Sequence, residues 1–425
     1  MGDIADSIDM CNKMKKLLPE YIKGVVDHKY TLRQAAESTG YTVQGIFKLK
    51  QKFLKIGADA FIHANTGKPS HNKISKEVEK KIIQLYDTEF ESKVNFSFFR
   101  ECLLDYDIKI SYTALHKLLR EAGFKSPESH RIKHSKPVHR PRPRRLNEGD
   151  LIQIDGTPYQ WFKWCGDNSY YCMMGAIDDA TGKITGLYMT ENECLYGYNE
   201  VYRLTIENYG VPRESYMDRS AIFCATPKNK SKLTLDEQLA GLKEHRTQFQ
   251  RIMDDLHCRQ ILAWSPQAKG RVERMWRTLQ GRLPYLFKKN RIKNMKEANI
   301  FLQNWLINDY NKSQFIKKAA KTETFWMKNP GSLENILCAR FHCKTNSAGV
   351  FKFRKQNFTV IGAKYVACKD LELCINEHGL RAYLNGKYYP VEMLDFLSDG
   401  IDNGSAVLDN IMYEYLYKDM KQQSA

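Results

Sequence analysis

The chain has 425 residues, enough for roughly two to four domains, and its 66 Lys and Arg against 49 Asp and Glu leave a formal charge of +17. With 42% apolar residues it is not a wholly disordered chain, and no apolar run approaches the ~18–20 residues that span a bilayer. The positive excess points to a polyanionic partner, nucleic acid foremost, without separating a binder from an enzyme.

Two small helical blocks come first. Thr31 is placed to cap a helix running to Ser38, and Thr39-Gly40-Tyr41 forms a turn before a second helix from Thr42 to Lys55. Small Ala36, Gly40 four residues on, and apolar Ile46 and Leu49 beyond are what a helix-turn-helix requires. Gln44, Lys48 and Lys50 are then available for groove contacts. A short linker, His63 to His71, leads to the second block, Ile74 to Phe124. Its three helices carry Ile82/Ile83/Leu85/Tyr86, Phe98/Phe99/Cys102/Leu103 and, after a cap at Ser111, Leu115/Leu118/Leu119.

From Ser129 to Asn147 there are seven Lys or Arg and no acid, with Pro137, Pro141 and Pro143 interspersed. Proline spacing forbids a helix and like charges repel, so an extended, solvated basic linker is expected, either a hinge or a strap that lays Arg140, Arg142, Arg144 and Arg145 on DNA phosphates. Beyond Asp150 the pattern changes to strands at Leu151–Ile154, Tyr170–Ile177 and Ile184–Met189, a helix at Tyr196–Tyr209, and a short strand at Glu214–Met217. A Lys-rich stretch, Lys228 to Lys243, precedes a helix near Glu244–Leu256, a strand at Gln260–Ala263 and one long helix from about Gln267 to Lys288. This is an α/β domain with a mixed sheet. Short alternating strands between Val350 and Leu394, with turns such as Asn385-Gly386, predict a small β-barrel. The tail shows one apolar helical face, to dock in cis or on a partner.

Three acids stand out by placement. Asp155 and Asp218 each end an apolar strand, and Glu273 lies in the helix entered through Ser265-Pro266. Carboxylates from adjacent strand ends, joined by a third from a facing helix, make an oxygen-rich pocket suited to Mg²⁺. Two such ions ~3.5–4 Å apart can drive phosphodiester displacement. On the same helix Lys269, Arg271, Arg274, Arg277 and Arg282 fit phosphate binding. Asp178-Asp179-Ala180-Thr181-Gly182 reads instead as a tight turn. Trp161, Trp164 and Trp276 are expected in the core. Eleven scattered Cys without a CxxC fit free thiols in a reducing compartment, and no zinc, P-loop or dinucleotide motif stands in a fitting context. The N-terminal sequence has no basic-then-apolar signal pattern, so a secretory signal is not expected.

The blocks Gln153-Ile154-Asp155-Gly156-Thr157, Ile177-Asp178-Asp179-Ala180-Thr181, Tyr216-Met217-Asp218 and Ser265-Pro266-Gln267-Ala268-Lys269-Gly270-Arg271-Val272-Glu273-Arg274 resemble those of DDE transposases of bacterial insertion sequences, ISNCY-type. The resemblance implies a multidomain protein. Its parts are N-terminal all-α helix-turn-helix modules, a central α/β RNase-H-like (integrase) core with a mixed sheet, and a small C-terminal β-barrel. The divisions expected are 1–62 and 74–128 for the helical modules, 63–73 and 129–147 for linkers, and 148–315 for the core. A connector at 316–345, the barrel at 346–396 and a helical tail at 397–425 complete the chain. On the resemblance, Asp155, Asp218 and Glu273 are a catalytic and metal-binding triad holding two Mg²⁺, with Mn²⁺ able to substitute. Asp155 would bridge both ions. The implied activity is cleavage at an element's 3′ ends and strand transfer into target DNA. A catalytically inactive DNA-binding regulator and an RNase-H-like nuclease are the alternatives. The partners implied are double-stranded DNA, as end repeats and as target, and further copies of the chain in a dimer or larger assembly. No membrane and no nucleotide cofactor are expected, and the location implied is the bacterial cytoplasm, with the nucleoid. One departure is the 54 residues between Asp218 and Glu273, longer than the compact integrase pattern.

Overall fold

A computed structural model describes residues 17–62, 74–127, 142–224, 246–263, 269–394 and 404–418. The linker at 63–73, the linker residues up to Pro141 (Arg140 among them), the Lys228–Lys243 stretch and Ser265 to Ala268 lie outside the described residues. The chain divides into two compact units, Met1–Lys81 and Ile82–Ala425.

In the first unit, helix α1 (17–26), not anticipated from the sequence, joins α2 (Leu32–Thr39) and α3 (Val43–Ile56) around Ile22, Val25, Ala35, Ala36 and Ile46. Thr31 caps α2 in a reciprocal box with Gln34, whose backbone N–H it accepts at 3.2 Å. Gly40 ends the helix at φ +72°, a left-handed conformation open to glycine, and its N–H donates to the Ala36 carbonyl at 2.9 Å. Thr42 caps α3 on the Gly45 N–H. Gln44 and Lys48 face solvent and Lys50 is half-buried.

Helix α4 (Lys76–Thr88) spans the division between the units, and the rest of the second helical block, α5 (Phe96–Cys102) and α6 (Tyr112–Glu121), lies in the second. Five strands form that unit's central sheet: β1 (Leu151–Tyr159), β2 (Tyr171–Asp178), β3 (Ile184–Thr190), β4 (Glu214–Met217) and β5 (Arg259–Leu262). Their order is β3-β2-β1-β4-β5. The first three are antiparallel, and β4 and β5 run parallel to β1. Helix α7 (Leu195–Asn208) makes the crossover between β3 and β4, and α8 (Gln248–Asp255) precedes β5.

Strand alternation sorts β1 between two cores. Ile152 and Ile154 join Met174, Ala176, Tyr198, Val201 and Tyr202 on the α7 face. The opposite face packs Met173, Leu187 and Met189 against Val272, Met275, Trp276 and Leu279 of α9 (Gly270–Gln280). The expected single long helix breaks at Gly281 and Arg282, and α10 (Leu283–Lys289) follows with Pro284 in its first turn. Proline supplies no N–H for an internal helical bond and its ring crowds the preceding turn, so it is tolerated only where a new helix starts. Arg282 at the break is buried, bidentate to Glu101 at 2.6 and 3.0 Å, and lies between the Phe98 and Phe315 rings.

After α11 (Met295–Asn308) and α12 (Leu333–Ile336), six antiparallel strands follow: β6 (Ala339–Lys344), β7 (Val350–Phe353), β8 (Gln356–Val360), β9 (Asp370–Asn376), β10 (Gly379–Leu384) and β11 (Lys387–Met393). Their order is β6-β9-β10-β11-β8-β7, and the edges curl towards each other until Phe341 of β6 meets Phe353 of β7 at 5.1 Å. The sheet is thus a nearly closed barrel. Its apolar core is continuous with the α7 face of the central sheet. Helix α13 (Gly404–Met412) continues through Tyr413–Tyr417 and docks in cis, with Leu416 buried and Tyr415 against Phe341 at 4.5 Å.

Candidate active site

The parallel pairing of β1 and β4 puts Gln153 opposite Tyr216. Continuing that register two residues along both strands sets Asp155 level with Asp218, on chains spaced about 4.8 Å apart. Both carboxylates converge on one cation. Lys269, the N-cap residue immediately before α9, places Nζ 2.8 Å from Asp155 Oδ1 and 3.6 Å from Asp218 Oδ2, with its own side chain only 7% exposed. Burial holds the Asp155 carboxyl above its ordinary pKa, and the Lys269 ammonium opposes that shift. Asp218 is the more open of the two and accepts the Ser220 N–H at 3.0 Å.

Glu273 sits solvent-exposed in the first turn of α9, four residues after Lys269. That spacing stacks the two residues on one side of the helix, and side chains lean towards the helix start. Among the described residues, no three Asp, Glu, His or Cys gather closely enough to hold a metal ion. The structure therefore brings Asp155 and Asp218 together, with Glu273 one turn along the helix that supplies their counter-ion.

Close packing positions the strand under this site. Asp155 pairs across the ladder with Gly175, where a Cβ would lie 2.6 Å from Leu187 Cδ2 and 2.9 Å from Trp276 Cη2. Glycine here lets α9 rest directly on the sheet beside Asp155. Gln153, buried on the same face, accepts the Val272 N–H at 3.3 Å and donates to Asp179 Oδ1 at 2.8 Å, so it fixes the first turn of α9 to the β2–β3 turn.

That turn holds two acids with different work. Asp178 closes it, accepting from Thr181 N and Oγ1 at 2.8 and 2.6 Å and from Gly149 N at 3.0 Å, while Gly182 adopts φ +80°. Burial raises the Asp178 carboxyl, and the Thr181 hydroxyl bond opposes it. Asp179 is a fully buried hub. Besides Gln153 it binds Arg271 Nη1 at 2.9 Å, the Arg145 N–H at 2.8 Å and the Arg142 guanidinium.

The basic residues expected on DNA therefore divide. Lys269 and Arg271 direct their charge to Asp155, Asp218 and Asp179, inside the domain. Arg142 ties to Asp179, Arg144 donates to the Ala180 carbonyl at 2.9 Å, and Arg145 pairs with Glu214 and with Asp150 at 3.5 Å. This end of the linker is strapped to the domain because buried carboxylates await it. Arg274 and Arg277 are exposed, and with Tyr112 and His116 of α6 they line a cleft of about 390 Å³. Trp161 and Trp276 are core residues, as expected. Sequence reasoning missed Gln153, Asp179 and the role of Lys269. A buried amide two residues before Asp155, on the same strand face, was the available signal.

No protein-family model matches the chain. It is 29% identical over 422 residues to the transposase for insertion sequence IS1202 of Streptococcus pneumoniae, covering 90% of this chain and 87% of that protein. It is also 29% identical over 340 residues to "Putative transposase y4bF" of Sinorhizobium fredii, covering 79% and 70%. Among solved structures, a simian T-cell lymphotropic virus intasome in complex with a PP2A regulatory subunit aligns at TM-score 0.32 and 16% identity, over 74% of this chain and 99% of that one. The HTLV-2 integrase catalytic core with magnesium aligns at 0.28 and 16%, over 40% and 91%. No helix among the described residues is long and apolar enough to cross a membrane. Over most of its length, the chain is similar to curated transposases, one of them that of an insertion sequence.

Proposed function

We propose that the protein is a DDE-type DNA transposase with an RNase-H-like core, which binds the ends of an insertion sequence, cleaves at their 3′ ends and joins them to target DNA. The observation that carries this reading is the pair Asp155 in β1 and Asp218 just past β4, on neighbouring strands of a β3-β2-β1-β4-β5 sheet, converging on one cation. The ammonium between them stands in for the charge the site is built to take, and the donors are hard oxygens.

Asp155, Asp218 and Glu273 would hold Mg²⁺, or Mn²⁺ in its place. Bound there, the metal supplies a nucleophile at neutral pH and offsets charge on the displaced oxygen. In the first step a water oxygen attacks the phosphorus at the element's end. The bond from phosphorus to the 3′ oxygen breaks, and that oxygen leaves as a hydroxyl. In the second, the freed 3′-hydroxyl oxygen attacks a target phosphorus, forms the new phosphodiester and releases a target 3′-hydroxyl. No covalent bond to protein is needed. Gln153 and Asp179 would hold α9 at the depth where Glu273 faces the aspartates. Gln44, Lys48 and Lys50 on α3 would read DNA, and Arg274 and Arg277 would hold phosphates beside α6. Joining two ends at one target calls for more than one protomer, acting on the chromosome in the bacterial cytoplasm.

The test is purified protein with end-repeat oligonucleotides, target plasmid and Mg²⁺ or Mn²⁺. Joined products that vanish in Asp155→Asn and Asp218→Asn are the expected result. Binding without cleavage in either metal would replace the proposal with a DNA-binding regulator, and cleavage without joining with a nuclease.

A further inference from the structure

We propose that Lys269 is an internal counter-cation that excludes metal from the Asp155–Asp218 pair until DNA phosphate draws it away, so that metal loading and DNA binding are coupled. The inference rests on the preceding reading of these aspartates as metal ligands.

Lys269 differs from the other basic residues of its helix. Arg271 is neutralised by fully buried Asp179, whereas Arg274 and Arg277 face solvent. Among the described basic residues of α9 and its N-cap, Lys269 alone is buried against the two aspartates themselves, its Nζ in hydrogen-bond contact with Asp155 and ion-paired with Asp218. Metal oxygens would have to come from the same two carboxylates. Mg²⁺ binds such oxygens at ~2.0–2.1 Å, so a metal on these carboxylates would lie close to an ammonium 2.8 Å from Asp155 Oδ1, and the like charges repel. The two cations compete to neutralise one pair of carboxylates.

The alternatives open to Lys269 decide when it leaves. A lysine is a compact charge on a flexible four-carbon stem and can swing without moving its backbone. In the protein alone its other choice is water, and a buried ammonium between two carboxylates gains nothing by that exchange. A DNA phosphate at the site offers an anion in place of the aspartates. Arg274 and Arg277, exposed within the following two turns of the same helix, are placed to bring one near. Metal then neutralises the vacated pair. By linkage, DNA must raise metal affinity by the factor by which metal raises DNA affinity. A site so arranged stays unloaded away from its substrate, which restrains stray phosphodiester cleavage.

The experiment counts bound Mn²⁺ by electron paramagnetic resonance on the full chain, with and without a mixed-sequence duplex oligonucleotide, and needs no turnover. In Lys269→Met, Mn²⁺ affinity without DNA is expected to rise about tenfold, the equivalent of one modest ion pair. Adding duplex should raise wild-type affinity towards that of the variant while changing the variant little. Lys269→Arg, which keeps the charge, should bind metal without DNA no more tightly than wild type. Should the methionine variant fold poorly by circular dichroism, Lys269→Gln, neutral and polar, takes its place with the same expected rise. Equal affinities for wild type and Lys269→Met, with and without DNA, would overturn the latch. Asp155→Asn separates the two readings. If it binds Mn²⁺ as wild type does, the aspartate site itself fails. If it loses Mn²⁺ while Lys269→Met changes nothing, only the latch fails.

Discussion

Asp179 offers a direct test of how the α9 helix is held over the sheet. Asp179→Asn keeps the shape and removes the charge, leaving Arg142 and Arg271 without their shared counter-ion and turning an N–H donor towards Gln153 or Arg271. Breaking one side of a buried pair costs about 3–5 kcal/mol. The Arg142 side chain is a third exposed and Arg271 is 12% exposed, so solvent recovers part of that and about 3 kcal/mol is the expected loss. The unit that contains it, Ile82–Ala425, is large, so its melting temperature should fall by only about 4 °C. Scanning calorimetry of the full chain reads that transition, and Arg271→Met with the double variant completes a cycle. Coupling of about 1–3 kcal/mol between the two positions is expected. A shift below about 1 °C, with additive single effects, would refute the claim that this ion cluster anchors the helix.

At Gly175 a valine meets Leu187 and Trp276 at impossible distances, and overpacking of this kind costs about 1–3 kcal/mol. Gly175→Val should therefore lower the melting temperature and, by lifting α9, weaken Mn²⁺ binding; unchanged metal affinity would separate the helix packing from the site. The arginines divide by a salt titration of DNA binding. Arg274→Gln and Arg277→Gln should each reduce the slope of log affinity against log salt by about 0.9 for every phosphate left without its cation. Arg142→Gln and Arg145→Gln should leave the slope in place and reduce thermal stability instead, and the opposite pattern would return the linker arginines to DNA.

Local patterns made much of the frame legible. Thr31, Gly40 and Thr42 act through bonds within four residues, so the helical hairpin could be read directly. Asp218 was visible where a short apolar strand stops, whereas Asp155, expected at a strand end, lies in the middle of β1, whose ladder with β2 continues to Tyr159. Lys269 was not visible, because a lysine on a basic helix belongs to the surface unless a tertiary partner buries it, and its partners lie 114 and 51 residues away in sequence. The partners of Arg142 and Arg145 were hidden for the same reason. Charge composition reports repulsion within the segment and says nothing of Asp179 and Glu214 waiting on the sheet. The break at Pro284 was written plainly in the sequence, and the continuous apolar pattern masked it.

The parallel seating of β5 beside β4 bears on how such a protein can change its length. Met217 pairs with Leu262, and Ala263 donates back to the Met217 carbonyl at 2.7 Å, so the chain returns beside Asp218 whatever it does in between. Glu273 follows ten residues later, through α9. The ladder, not the number of intervening residues, sets where the chain re-enters. Doubling the length of a loop adds only about 0.6 kcal/mol of closure entropy. Length added between Asp218 and β5 would thus leave the re-entry of the chain beside Asp218 unchanged.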